Sequence, residues 1–294
     1  MGGSVQKTIR YPAHAGTFYP ADPEELIKLI EWAFTHPIGP GRLPKGHGDK
    51  RESIGYIVPH AGYIYSGPVA AHSYLKLAEE KRPESIIIIG PNHNGVGMPV
   101  AAYKGDAWRT PLGDVEVDME LAGLLVSYSS YLSFDSTAHY YEHSLEVQVP
   151  FIQYIFKGDT PRIVPITAYH QNPIIARDLA ASIFKAVSEN GVDLVVVGST
   201  DFNHYEPHDI TVKKDLTAIE MIIKRDVDGL YRVIEDYNIT MCGPVSAATL
   251  MELSLRLKGG EPVLLKHATS GDVTGEKDWV VGYASIMFPR WQKV

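Results

Sequence analysis

"SIIIIG" (85–90) is four consecutive isoleucines between a serine and a glycine, and "DLVVVG" (193–198) repeats the pattern with leucine and valines. Side chains alternate between the two faces of a strand. A strand that is apolar at every position must therefore be buried on both faces, as in a parallel sheet covered by helices above and below. Working outward, "SIGYIVP" (53–59), "RIVPITA" (162–168), "PVLLKHA" (262–268) and "WVVGYASIMF" (279–288) read as further strands, and "GDVEVD" (113–118) as a short one.

Helix signals lie between them. In "YPADPEELIKLIEWAF" (19–34), Asp22 is placed to cap, Pro23 suits the first helical position and Glu25 completes a capping-box-like pattern. "SGPVAAHSYLKLAEEKR" (66–82) is a helix, another starts near Asp118, and "SLEVQVPFIQYIF" (144–156) is helical despite Pro150. "NPIIARDLAASIFKAVSENG" (172–191) is a helix with Asn172 as its cap and Pro173 in its first turn. Two or more helices follow to about residue 235, and one begins near Cys242. Strands alternating with helices predict an α/β protein, a three-layer α/β/α domain spanning 1–294 with a mixed, mostly parallel central sheet. The last two strands, joined by a short loop without a helix, add antiparallel pairing. "HPIGPGRLPKGHGDKRES" (36–53), rich in Gly, Pro and charge, reads as a surface loop open to disorder.

The bulk numbers exclude several classes. A net charge of −8 with scattered basic residues argues against a nucleic-acid surface. No apolar run reaches the roughly 20 residues of a membrane span, and the first residues carry no apolar signal core, so a cytoplasmic location is expected. One cysteine in 294 residues excludes an internal disulfide, a CxxC pair and a multi-thiolate zinc knuckle. Its natural partners are the twelve histidines.

In open α/β sheets, ligands bind beyond the carboxyl ends of the strands. Four predicted strands end in a histidine within a few residues: His60 in "PHAGYIYSG", His93 in "PNHNG", His170 in "YHQN", and His204 with Asp201 in "STDFNHY". Singly, each reads as a loop histidine bonded to a carbonyl, and Asp201 and His204 as orienting each other. His170 reads best as a solvated loop residue. Jointly they point to one site. His72 reads as a satisfied helix histidine, while His14, His36, His47, His208 and His267 have no convergent context.

Cys242 is a packed small residue by type alone. Its place at a helix start gives a second reading: the helix dipole lowers its pKa, making a thiolate that serves as nucleophile or metal ligand. Two neutral imidazoles and a thiolate form a three-donor set with open positions. In "HYYEHSLEVQVPF" (139–151), His143 and Glu146 share a helix face and either complete the pocket as an acid/base or supporting pair or form an ordinary N-terminal cap. Ser199, Asp201 and His204 include triad residue types, but they crowd into six residues without the GxSxG elbow of a hydrolase.

In order, "PHAGYIYSG", "GPNH", "WRTPLGDVEVD", "EHSLEVQVPF", "GSTDFNHY" and "TMCGP" resemble the Memo family, also called the protein B component of the AmmeMemoRadiSam set. The likeness runs from "RYPAHAGTFYP" to the last strand. It implies the fold of class III extradiol dioxygenase catalytic subunits, which use iron(II) on two histidines and a carboxylate. Carried over, it implies iron(II) or copper as a single ion on His60, His93 and Cys242. It places His204, Asp201 and His143 in the same pocket as acid/base and substrate-orienting groups. Cysteine in place of the dioxygenase carboxylate is softer and donates more charge, which puts ring cleavage itself in doubt. The resemblance implies a metal-dependent oxidoreductase acting on a small molecule, with an aromatic one suggested by the tyrosines of "GYIY" and "HYY". Its alternatives are a non-catalytic adaptor that binds a phosphopeptide or other anion, and a metal-handling protein. By family association, a radical-SAM protein and a companion are partners.

Overall fold

The computed structural model describes residues 7–290. Its strands are β1 Ile9–Arg10, β2 Ser53–Val58, β3 Ser85–Pro91, β4 Val100–Ala102, β5 Ala107–Thr110, β6 Gly113–Glu116, β7 Ser133–Phe134, β8 Arg162–Ala168, β9 Leu194–Ser199, β10 His204–Glu206, β11 Val263–Thr269 and β12 Val280–Pro289. The helices are α1 Pro23–Thr35, α2 Tyr63–Ala78, α3 Met119–Tyr128, α4 His143–Glu146, α5 Gln148–Ile155, α6 Pro173–Asn190, α7 His208–Lys224, α8 Val227–Asp236, α9 Pro244–Arg256 and α10 Ser270–Thr274.

The main sheet runs β10-β12-β2-β9-β3-β8-β4-β7, with β11 also paired to β12. Its centre, β2-β9-β3-β8, is parallel throughout. Antiparallel pairing lies on its flanks, where β12 meets β2, β10 and β11 and where β4 meets β8. The fold is thus a three-layer α/β/α arrangement around a mixed sheet, parallel at its core.

The isoleucine run explains the layering. Ile87 and Ile89 pack with Val164, Ile166 and Val196 into a core under α3, α6, α8 and α9. Ile86 and Ile88 point the other way, with Tyr56, Val58, Val195 and Val197, into a core under α1, α2 and α5. All four isoleucines are fully buried, and each such side chain withdrawn from water contributes about 1.5–3 kcal/mol. A small sheet, β1-β5-β6, adds Trp108 and Val115 to the second core.

Local signals account for the element ends. The Asp22 carboxylate accepts from the Glu24 and Glu25 N–H groups, and Asn172 caps α6 through the Ile175 N–H. The 144–156 helix divides in two at Val147, which places Pro150 in the first turn of α5, where a missing N–H costs nothing. The β11–β12 connection contains the short helix α10, opened by a Thr269/Asp272 capping box, so the expected helix-free loop is corrected. The 36–53 loop is pinned rather than loose: His47 Nδ1 lies 2.8 Å from the Ala78 carbonyl and its ring stacks on Phe156. Among the described residues, no helix is long and apolar enough to cross a membrane.

Candidate metal centre

Because β2, β9 and β3 run parallel, their carboxyl ends open on one edge of the sheet. The chain leaves β2 toward His60, β3 toward His93, and β9 toward Asp201 and His204. Helix α4 supplies His143, and the turn before α9 supplies Cys242. These six residues, with Phe18, Ala61, Gly62, Tyr205, Thr240 and Val281, line one cavity of about 630 Å³. His170 is exposed and outside it. A groove of about 520 Å³ between α1, β6 and α5 carries Asp114, Glu116 and Lys157 but neither histidine nor cysteine.

His60 is 2 % exposed and held at three points. Its backbone N–H donates to Asp201 Oδ1 at 2.7 Å, its Nδ1 lies 2.9 Å from Ser199 Oγ, and its Nε2 lies 3.2 Å from Cys242 Sγ. Neighbouring bonds assign the tautomer. Ser199 has one hydroxyl proton and gives it to the Ser144 carbonyl at 2.6 Å. Its oxygen accepts from Gln148 Nε2, whose orientation is set by the Tyr74 hydroxyl on Gln148 Oε1. Ser199 therefore accepts from His60 Nδ1–H as well, leaving the lone pair of Nε2 in the cavity.

His93 and His143 stack with ring centroids 4.4 Å apart, and both rings meet His60 edge-on. Among the described residues, donor atoms of His60, His93 and His143 come within 4.8 Å of one another. Cys242 is not in that set, although its sulfur touches His60. Asp201 brackets the cysteine: its N–H donates to Sγ at 3.3 Å, and its carbonyl accepts from the Cys242 N–H at 3.4 Å. His204 Nδ1 lies 2.8 Å from the Thr240 carbonyl, so it carries the proton, and Nε2 is free.

Burial governs the protonation of the site. It pushes His60 well below the ordinary imidazole value, with the neighbouring imidazoles adding to the effect. Burial likewise lowers His143 to about 4 and depresses His204. Asp201 is raised by burial to about 7. Burial and then the Asp201 carboxylate push the Cys242 thiol up, so the expected dipole-lowered thiolate is corrected. Helix α9 begins at Pro244, two residues beyond the sulfur, and offers too little to offset desolvation.

A family model described as Memo-like protein matches residues 10–287. The chain belongs to the Memo-like family. A MEMO1 family protein of Ignicoccus hospitalis is 54% identical over 282 residues, covering 96% of this chain and 99% of the relative. One from Desulfurococcus amylolyticus is 51% identical over 280 residues, covering 95% and 98%. Among solved structures, an uncharacterized Escherichia coli K12 protein aligns with TM-score 0.50 over 81% of this chain and 99% of that one, at 14% identity, a likeness of fold alone.

In this Memo-like chain several expected pairings resolve differently. Glu146 turns away from the cavity, forming a buried ion pair with Arg10 at 2.5 Å and accepting from the Tyr19 hydroxyl and the His14 N–H. The cap of α4 is Glu142, through the Ser144 N–H. Ser199 bonds the His60 ring and leaves His204 to Thr240, so no hydrolytic triad assembles. His14 and Phe18, read as context-free or passed over, have rings 5.6 and 4.5 Å from that of His143. Glu142, which is wholly buried, was also missed. Its burial beside His143 was signalled only by adjacency in "EHS", which a lone carboxylate before a helix does not distinguish from a cap.

Proposed function

We propose that the cavity is a mononuclear metal site with His60, His93 and Cys242 as donors and His143 beside them, serving a metal-dependent oxidoreductase of a small molecule. The observation that carries this reading is the convergence of three imidazoles, with donor atoms within 4.8 Å of one another, on a cavity where the Cys242 sulfur lies 3.2 Å from His60 Nε2. The donor chemistry fits a metal. His60 turns a free Nε2 toward the thiol, and the Nδ1 of His93 is engaged by Glu142 at 2.8 Å, which leaves its Nε2 free. Imidazole and thiolate together suit iron or copper better than hard oxygen-seeking cations. A bound ion of this kind supplies redox chemistry at positions the protein leaves open.

The chain's own groups would do the rest. His204 offers an unprotonated Nε2 to accept a proton from a bound molecule, while Thr240 holds the ring. Asp201 keeps the His60 loop and the cysteine in register through its backbone and carboxylate. Phe18 and Val281 give the cavity apolar wall. An anion-binding adaptor is a weaker reading, because burial disfavours the charged form of His60, His143 and His204 and the carboxylates of Asp201 and Glu142 adjoin them.

Titration with cobalt(II) under anaerobic conditions tests the donor set. The expected spectrum shows a thiolate-to-cobalt charge-transfer band that vanishes in Cys242→Ser and ligand-field bands that collapse in His60→Ala. Ligand-field bands without any thiolate band would remove Cys242 from the set.

A further inference from the structure

We propose that Glu142 is the positioning carboxylate of this centre: one buried side chain that sets the ring orientation and tautomer of His93. The inference rests on the metal-site reading for its consequence, and on hydrogen-bond geometry for its content.

Glu142 is 0 % exposed and caps α4, directly before His143. Its Oε1 lies 2.8 Å from His93 Nδ1, 3.5 Å from His143 Nδ1 and 2.9 Å from the Ser144 N–H. Its Oε2 accepts from the His93 backbone N–H at 2.6 Å and from Asn94 Nδ2 at 3.2 Å. The carboxylate thus grips His93 by main chain and ring together, which leaves the imidazole little freedom to turn. An acceptor-only group facing Nδ1 requires the proton on Nδ1 and the lone pair on Nε2. His93 therefore presents Nε2 to the cavity, and the His143 ring stacks on it. His60 reaches the same tautomer from another anchor, Ser199. Carboxylates that hold a ligating imidazole this way orient it and raise its basicity, and their loss typically costs about 10–100-fold in metal affinity.

Glu142 is itself held. The Arg10 guanidinium donates to the Glu142 carbonyl at 3.0 Å and to the His139 carbonyl at 2.9 Å, so the segment that carries the carboxylate is tied to β1.

The test has a metal-free arm and a metal arm. In metal-free wild type, nitrogen-15 spectra of the histidine rings under mildly alkaline conditions should show His93 with the proton on Nδ1. In Glu142→Gln, whose amide offers one acceptor and one donor, that preference should relax toward Nε2–H for His93. Cobalt(II) affinity should fall about 10–100-fold with an unchanged circular dichroism spectrum, and Glu142→Asp should recover part of it. A wild-type His93 protonated on Nε2 overturns the proposal without any variant having to fold. So does a Glu142→Gln protein with unchanged tautomers and affinity. A wild type that binds no cobalt but shows the Nδ1 tautomer of His93 overturns the metal reading and upholds the role of Glu142.

Discussion

Cys242→Ser removes one soft donor and almost no volume, so it separates ligand from filler. The expected outcome is a large loss of iron(II) or copper affinity with an unchanged unfolding midpoint, read by competition with a chelator and by urea titration. Full retention of metal would return Cys242 to the role of a packed small residue. His204→Ala should behave in the opposite way. Its ring is anchored to Thr240 and stands outside the three-imidazole set, so the metal should stay while turnover of any identified substrate falls by roughly 100-fold or more. Loss of metal in that variant would make His204 a donor. His204 was legible in the sequence because strand ends are where α/β sheets place their chemistry, and Cys242 because it stands just ahead of a helix. Glu142, Ser199 and Gln148 were not, since their role depends on which hydrogen-bond partner folding brings near, and nothing local marks it. The protonation of Cys242 was misread for a related reason: the helix dipole is a local signal, whereas the desolvation that outweighs it is set by the whole cavity.

At the scale of elements, the site depends on the strap 9–20. Arg10 and Glu146 have side chains 1% exposed, and Glu146 also accepts from Tyr19 Oη, Ala13 N and His14 N. The Arg10 guanidinium lies 4.3 Å over the Trp108 ring. Arg10→Met would leave the carboxylate buried without its counter-charge, and the expected cost is about 3–5 kcal/mol in denaturant unfolding. The Arg10→Met/Glu146→Met double variant should cost less than the sum of the two singles. Strictly additive effects would mean that the pair does not act as a unit. Close approach matters here too: a Cβ on Gly90 would sit 2.7 Å from Ser144 Oγ, so only glycine lets α4 bed down on β3. The long strands and capped helices were readable because burial on two faces and cap chemistry leave periodic traces. The two- to four-residue strands β1, β4, β5, β7 and β10 are too short to show a period, and tertiary pairing alone defines them.

For the whole molecule, buried imidazoles make stability depend on acid. His139 is fully buried with its ring edge-on to Trp108, and burial, with Arg10 adding, lowers its pKa to about 3. With a folded value below the ordinary 6.5, the unfolded chain takes a proton that the folded chain refuses. Its neutral form costs nothing above pH 6.5, and stability falls as pH drops from there toward 3. His60, His143 and His204 shift in the same direction, whereas Asp201, raised to about 7, works against them as pH rises from 3.8. His139→Gln should therefore lose less stability than wild type between neutral pH and pH 5, measured as the urea midpoint at each pH. Parallel curves would contradict the assignment.

If a single metal ion joins the histidines to the lone thiol, elemental analysis of anaerobically purified wild type, His60→Ala and Cys242→Ser will show it. About one iron or copper per chain is expected in wild type, and its loss from both variants. Metal-free wild type, even after reconstitution with either ion, would contradict it.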